Sequence, residues 1–576
     1  MPSDAVLTDN PSVVFLTMPT SGSGSLWRLI VCIAGNAFKP VKISEVMEIA
    51  GKGSQVGSWQ PEPAGHVFMY NTPHYVNPHF SRPEQRLIVN FRDPRDLVCN
   101  QYHWVFQHPS DKSAEELADI RARVAAEGID HFVSSRNVNN LFDSLRAIEP
   151  RLAADDPNVL KLSYAQLCLD FDRLVERLIA FLGVPPASVP WNLVERERTT
   201  NLKNNPHWIG QMWTGTDVSP GRHRTELKPE TIAKLDDLYR DNLKLVRSIE
   251  APALRHLLAT SQERTEMDRV LVGRDDELFL KNDANDTVGQ ITGTKQLPRV
   301  DMIKIAMAHH TRTYFGKQIG NFNYAHVLIP SKEVAHRAWL PKEIVFQGNG
   351  PRPILAYLDA SLDKLWKPFY QPELLEPDGK ERYYPKTDAH WNHPGAYKYF
   401  SAALQSIDPQ RAATLAAIPL RRFPAMQLGD MAIKLEMPKE PIEIITPHRI
   451  HAKLVFDNAI NNEGRVVWYK NEAVTDQSRV LVLHDSFTMW LRDFIPELFS
   501  EAFFVHGTLF DFEFVEAFAP QTILCFQAER FFPRVPDTGG NLLRYVAAEE
   551  QEKKAPRRFS DFIAQDKRFE RLRGLK

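Results

Sequence analysis

The sequence predicts two α/β domains in tandem, the first built on a mainly parallel sheet, and three observations predict it. At 576 residues the chain is too long for one ordinary core, and roughly two to four domains are expected from length alone. From residue 12 to about 250, apolar strand-like runs alternate with amphipathic helical segments, the pattern of a parallel sheet with crossover helices. After a polar passage the pattern starts again near residue 268.

Taken in order, the strand-like runs of the first domain are "SVVFLTM", "RLIVNF" and "NVLKLSY", each followed by a polar turn and an amphipathic stretch, and "TIAKLDDLYRDNLKLVRSI" (231–249) reads as its closing helix. The polar segment "RHLLATSQERTEMDR" leads to a boundary at about 255–268. The second domain opens on "VLVGRDDELFLKND" and continues through the strand-like "HVLIPS", "RVLVLHDSF" and "QTILCFQ". The expected division is 1–255 and 268–545, with 546–576, which contains "EEQEKKAPRRFSDF", as a solvated charged tail.

Composition excludes several classes. With 70 basic against 72 acidic residues the net charge is −2, which gives no general attraction to nucleic acid or an anionic membrane. Four scattered cysteines without a Cys-x-x-Cys suit a reducing compartment and no thiolate metal site. No basic n-region with a long apolar stretch opens the chain, and its best apolar run, "LWRLIVCIAGNAF", is too short to span a bilayer and carries Arg28; the expectation is a cytoplasmic protein without a transmembrane segment.

The first chemical signal is "VVFLTMPTSGSGSLWRL" (13–29), where a strand ends in a Gly/Ser loop and opens a helix. Unpaired amides at the positive end of a helix dipole bind phosphate, although such a loop also serves as a plain turn. Ser21, Ser23 and Ser25 offer hydroxyl donors, while Gly22 and Gly24 permit close approach. The second signal is "LIVNFRDPRDLVCNQYHW" (87–104), where Arg92 and Arg95 at a strand end can reach the same anion, or pair with Asp93 and Asp96.

Together these stretches resemble the PAPS-dependent sulfotransferase family. Pro19, Gly22, Ser23 and Leu26 fit its Pro-Lys-x-Gly-Thr-Thr-x-Leu loop, and Arg92 through Asp96 fit its R-D-P-R-D-type segment. The stretch "VLKLSYAQLCLDFDRLVERLIAFLGV" (159–184) is similar to the family's strand and helix ending in Phe-Leu-Gly. The resemblance implies a P-loop-like three-layer α/β domain, with PAPS as sulfuryl donor and Tyr164 near its adenine. Thr20 replaces the loop Lys or Arg, and Asn100 stands where the family has a phosphate-binding Ser. His74 in "YNTPHYVNPHF" is the candidate base for an acceptor hydroxyl, and Arg222 and Arg224 in "SPGRHRTEL" are candidates to close over the donor.

In the second domain, "RVLVLHDSFTMWL" (479–491) places Ser486 after a strand and at the start of a helix, where amides can stabilise an oxyanion; an Asp-Ser pair there also serves as a helix cap. In "RYYPKTDAHWNHPGAY" (382–397), Asp388 and His390 are two apart, so on an extended segment they point the same way and the carboxylate can orient the imidazole. Asp388, His390 and His393 could instead gather round a metal, but no known metal signature accompanies them and none is expected.

These segments resemble the SGNH-hydrolase-like domain of the alginate O-acetylation group that includes AlgX and AlgJ. The matching stretches, in order, are "VGRDDELFLKND", "LIPSK", "TDAHWNHPGAY", "LHDSF" and "FQAERFF". The resemblance implies Ser486 as nucleophile, His390 as base and Asp388 as its orienting partner, with Arg530 and Tyr324 lining the site. His484 replaces the glycine before Asp485. The combined expectation is a bifunctional enzyme acting on a polysaccharide, glycolipid or other hydroxylated acceptor, sulfating with PAPS and O-acetylating with acetyl-CoA or another acyl donor. The alternative is a carbohydrate esterase whose first domain only binds.

Overall fold

The computed structural model describes residues 10–42, 58–71, 76–107, 112–154, 156–199, 219–261, 263–345, 352–379 and 381–575. The chain divides into two compact units, Met1–Met267 and Asp268–Lys576.

In the first unit five parallel strands, β1 (Val13–Leu16), β2 (Lys39–Lys42), β3 (His66–Tyr70), β4 (Arg86–Phe91) and β5 (Val159–Ser163), pair in the order β2-β3-β1-β4-β5. Strand side chains alternate between faces, and both faces here are covered. Val14, Leu16, Leu87, Val89 and Phe91 pack with Leu243 and Val246, from helix Arg240–Ile249, on one side. Val13, Phe15, Ile88 and Leu162 pack with Leu174, Leu178 and Leu182 of helix Phe171–Leu182 on the other. That makes three layers. The expected single closing helix is two, Pro229–Leu238 and Arg240–Ile249, broken at Tyr239.

The second unit begins with a two-stranded antiparallel ribbon, β6 (Val270–Val272) and β7 (Leu278–Leu280). Its main sheet uses β8 (Asn323–Ile329), β11 (Lys453–Asp457), β12 (Val466–Lys470), β13 (Arg479–His484), β14 (Glu501–His506) and β15 (Thr522–Ala528), in the order β11-β12-β14-β13-β15-β8. The four strands from β14 to β8 in that order are parallel. A separate hairpin pairs β9 (Leu420–Gln427) with β10 (Glu440–Pro447). One face of the main sheet packs against helix His393–Ile407 through Tyr399, Phe400 and Leu404.

The other face overturns the expectation of a solvated tail. Helices Leu542–Glu552 and Phe559–Ile563, and the turns that follow them, bury Val546, Phe559, Ile563, Phe569 and Leu572 against Phe503, Phe514 and Trp468. Charges dominate the composition of this segment, but its apolar residues recur at helical spacing and cover the sheet.

Candidate functional site

In the first unit, β1 ends beside its neighbours β3 and β4, and the chain turns through Pro19–Gly22 into the helix Ser23–Ala34. Leu26, Trp27, Leu29, Ile30 and Ile33 bury one stripe of that helix and fix its direction. The turn needs a left-handed residue: Gly22 has φ 76°, and a Cβ there would lie 2.9 Å from the Tyr164 ring. Thr20 also has positive φ, at 62°. No side chain of the described residues caps the helix, so its first-turn amides are free for a ligand.

The loop is braced from beneath. The Ser21 hydroxyl donates to the Met18 carbonyl at 2.6 Å, and the Asn90 amide donates to Ser21 Oγ at 2.8 Å and to Thr17 Oγ1 at 3.0 Å. Ser21 therefore stiffens the loop with its hydroxyl, where the sequence suggests a donor to the anion. Ser25 Oγ accepts from Arg28 at 3.1 Å, and Arg28 pairs with Glu197. Ser23 and Gly24 remain at the surface of the turn.

Arg92, at the end of β4, donates from Nη1 to the Thr20 carbonyl at 2.9 Å and lies 3.9 Å over the Tyr164 ring. Its Nε and Nη2 are buried with no hydrogen-bond partner. A guanidinium held this way, beside open helix amides, suits an anion. Arg95 does not: it is fully buried and bound to Asp93, Asp236 and the carbonyls of Leu257 and Ala259, so it holds the fold together. Asn100 is buried one turn further along helix Pro94–Gln107.

Gly221, Arg92 and Tyr164 line one small cavity. Asp96 accepts from the Gly221 amide at 2.6 Å and from His223 Nδ1 at 2.6 Å, anchoring that late loop. Burial opposes the Asp96 charge, but His223, Arg92 and the Gly221 amide outweigh it and hold the carboxyl well below its ordinary range. Arg222 is paired with Glu226 at 2.6 Å while its Nη1 stays buried and unpartnered. Arg224 donates to the His256 and Leu257 carbonyls, which commits it to the loop. His74 lies outside the described residues.

Residues 62–247 match the sulfotransferase domain family. The first unit carries a sulfotransferase domain. That makes the chain a transferase. No curated protein matches it. Among solved structures it is similar to mouse sulfotransferase SULT7A1, solved with PAP, at 15% identity and a TM-score of 0.29 over 41% of this chain and 84% of that one. It is also similar to Bacillus cereus PatB1, at 17% identity and TM-score 0.32 over 43% of this chain and 94% of that one. The O-acetyltransferase domain of Pseudomonas putida AlgJ is similar at 16% identity and TM-score 0.32, over 49% of this chain and 99% of that one.

The second unit of this sulfotransferase-domain protein holds a different constellation. Ser486 Oγ lies 2.7 Å from His390 Nε2, and His390 Nδ1 lies 2.8 Å from Asp388 Oδ1. A carboxylate at Nδ1 keeps the proton there, leaving the Nε2 lone pair to take the serine proton. Asp388 and His390 meet through a tight turn, in which the same Oδ1 accepts the His390 backbone amide at 2.8 Å; the extended segment expected from the sequence is not formed. Burial opposes the Asp388 charge, but hydrogen bonds from His390 and from the Asp430 amide outweigh it and hold its carboxyl at about 2.

Ser486 opens a short 3₁₀ helix, Ser486–Leu491, capped by Asp485, whose carboxylate accepts from the Phe487 amide at 3.0 Å and from the Ala528 amide at 2.6 Å. The cap that the sequence allows is thus formed, by Asp485. Behind the acid, Gln427 donates to Asp388 Oδ2 at 2.7 Å. Lys332 is fully buried and donates to the Pro385 and Lys386 carbonyls at 2.6 and 2.7 Å, with Glu277 3.1 Å from its Nζ. The "GRDDELF" and "LIPSK" stretches therefore fasten the segment that carries Asp388.

His484, in the glycine's place, is buried with Nδ1 2.7 Å from the Asp485 carbonyl. Tyr324 is not beside Ser486: it is the second residue of β8, at the end away from Ser331, and its hydroxyl meets His309 at 2.7 Å and Arg312 at 3.2 Å. Asp430, which no sequence motif marks, places Oδ2 3.9 Å from His390 Nδ1, and Asp388, His390 and Asp430 are spaced closely enough to hold a cation. Gln427 and Asp430 carry no local signal because each reaches Asp388 across about forty residues. Asn90 does carry one: a polar residue inside an apolar strand that must find buried partners. No helix among the described residues is long and apolar enough to cross a membrane.

Proposed function

We propose that the protein modifies a hydroxylated acceptor, a glycan or glycolipid, by two reactions: sulfuryl transfer from PAPS in the first unit and O-acyl transfer through Ser486 in the second. The observation that carries the acyl-transfer reading is the unbroken chain Ser486 Oγ, His390 Nε2, His390 Nδ1 and Asp388 Oδ1, with contacts of 2.7 and 2.8 Å.

His390 accepts the Ser486 proton as Oγ attacks the acyl carbonyl of the donor, and returns it to the leaving group as that bond breaks. The acceptor hydroxyl then attacks the Ser486 ester and gives its proton to His390. That proton passes to Ser486 Oγ as the acyl group departs, and the nucleophile is restored. Asp388 keeps the imidazole in its tautomer throughout.

In the first unit the residues fit an anionic donor: Arg92 and Arg222 each keep a buried guanidinium N–H unpartnered. PAPS supplies an activated sulfuryl group and leaves as PAP. Arg92 would hold a phosphate of that donor together with the amides after Gly22, and Tyr164 would stack near its base. Thr20 brings no cation to the loop. That favours a second reading in which this unit binds without turnover and the second unit acts as an esterase.

Intact mass and burst kinetics with 4-nitrophenyl acetate test the acyl-transfer reading. Wild type should form one acetyl ester per chain, and Ser486→Ala should form none and lose about 10⁴-fold or more in rate. Acetylation that persists in Ser486→Ala would refute it. Transfer of the acetyl group to an added sugar, against its release to water, separates transferase from esterase.

A further inference from the structure

We infer that a groove beside the β9–β10 hairpin of the second unit holds an uncharged stretch of a sugar chain, away from Ser486. As part of the acceptor, that chain rests on the acyl-transfer reading of Ser486; as a binding site, the groove stands on its own lining.

The groove has a volume of about 590 Å³, within the roughly 300–1,000 Å³ of ordinary ligand sites. One wall comes from the segment 381–394, the other from residues 422–424 of β9 and 440–443 of β10. Lys386 and Asn392 line it, and Asp388 and His390 lie between those two in the chain. Neither His390 nor Ser486 is a lining residue, so the groove is a separate site that shares one short segment with the base. Glu440 fastens the walls together: its carboxylate accepts from the Lys386 amide at 2.8 Å and from the Thr387 amide at 2.7 Å.

The charges of the lining cancel. Arg382, Lys386 and Arg422 are matched by Glu381, Glu440 and Glu443, so the groove offers a long anion no net attraction. Arg422 donates to Glu443 at 2.7 Å along the hairpin, with Glu381 3.7 Å away on the other wall. Arg382 forms an ion pair with Glu277 at 2.8 Å, and its Nη1 is buried with no hydrogen-bond partner. Donors and acceptors are therefore both on offer, without an excess of either sign.

Between those charges the walls are apolar, with half-buried Phe423 and the four prolines Pro385, Pro394, Pro424 and Pro441. A proline has no N–H, so at these positions the walls cannot pair with the backbone of a peptide strand. The complement is an uncharged pyranose chain. Its ring faces are apolar, and each hydroxyl both donates and accepts, so it pairs with a guanidinium and a carboxylate side by side. A polyanion would meet Glu381 and Glu443, and a purely apolar chain would leave the Arg382 donor unsatisfied.

The test reads the labelled full-length protein against an array of neutral hexasaccharides (glucan, mannan, galactan and xylan), a polyuronate hexasaccharide and a polyproline peptide, with calorimetry on each sugar retained. Wild type should retain a neutral hexasaccharide and bind it about tenfold or more tighter than its disaccharide. Phe423→Ala and Arg422→Gln should each weaken that binding by about tenfold. Arg422 is exposed on the hairpin, so its variant keeps the test open should Phe423→Ala fail to fold. Retention of no neutral sugar overturns the inference. So does tighter binding of the polyuronate, capture of the peptide in place of the sugars, or sugar binding unmoved in both variants. The 4-nitrophenyl acetate burst of the same samples reports Ser486 separately: sugar binding without a burst would keep the groove and overturn the acyl-transfer reading, and a burst without sugar binding would do the reverse.

Discussion

Two groups of residues, Arg92 with Arg222 in the first unit and Ser486 with His390 and Asp388 in the second, satisfy their polar atoms in opposite ways. In the first, Arg92 keeps Nε and Nη2 buried without partners, and Arg222 keeps Nη1 so. In the second, Asp388, His390 and Ser486 are joined by contacts of 2.8 and 2.7 Å within the protein, as the proposed acyl transfer needs. A site that binds an anion is left unfinished for the anion to complete. A site that must generate a nucleophile is finished before any substrate arrives, because a misplaced imidazole loses the reaction. Orphaned guanidinium donors at Arg92 and Arg222 and closed hydrogen bonds from Asp388 to Ser486 point to different tasks.

That contrast can be broken by mutation. The largest effect after loss of the nucleophile should come from Asp388→Asn, which leaves the turn in place but removes the charge that sets the His390 tautomer. Its burst rate with 4-nitrophenyl acetate should fall by about 10³- to 10⁴-fold. Next is Arg92→Ala: calorimetric binding of PAP should weaken at least 10²-fold, consistent with loss of a charge-assisted fork, while Ser486 acylation proceeds as in wild type. Equal loss of both functions would deny that the two sites are independent.

The smallest effect concerns pH. The Asp388 carboxyl is held at about 2 against an ordinary 3.8, a depressed value, so it contributes about 2 kcal/mol to folding that is fully present above pH 4. That contribution is lost as the pH falls through 2, because the unfolded chain then takes up the proton first. Denaturant titrations of wild type and Asp388→Asn should therefore differ most at neutral pH and converge in acid.

Much of this architecture is legible in the sequence. The strands β1, β4, β5, β8, β13 and β15 are dense apolar runs, and each stands out along the chain. They announce themselves because they are largely buried, the edge strands β5 and β8 included, and both faces demand apolar residues. β2, "KPVK", and the β9–β10 hairpin do not, since their exposed faces carry prolines and charges. The C-terminal segment misleads through composition: lysine and arginine outnumber its few aromatics, yet Phe559 and Phe569 decide where it lies.

At the sites, local motifs place Ser486, His390, Asp388 and Arg92 because strand ends and turns are written in short stretches. Whether Ser21 or Arg95 faces a ligand is not legible. It depends on Asn90 and Asp236, which come from distant parts of the chain.

Lys332 carries a practical consequence. Its ammonium is sealed between two carbonyls and Glu277, out of reach of solvent-borne reagents. An amine-directed label can reach it only when the segment bearing Asp388 swings open. The labelling rate of this one lysine, followed by peptide mapping, would therefore clock how often that corner breathes, and a bound acceptor that stills the corner would slow the clock.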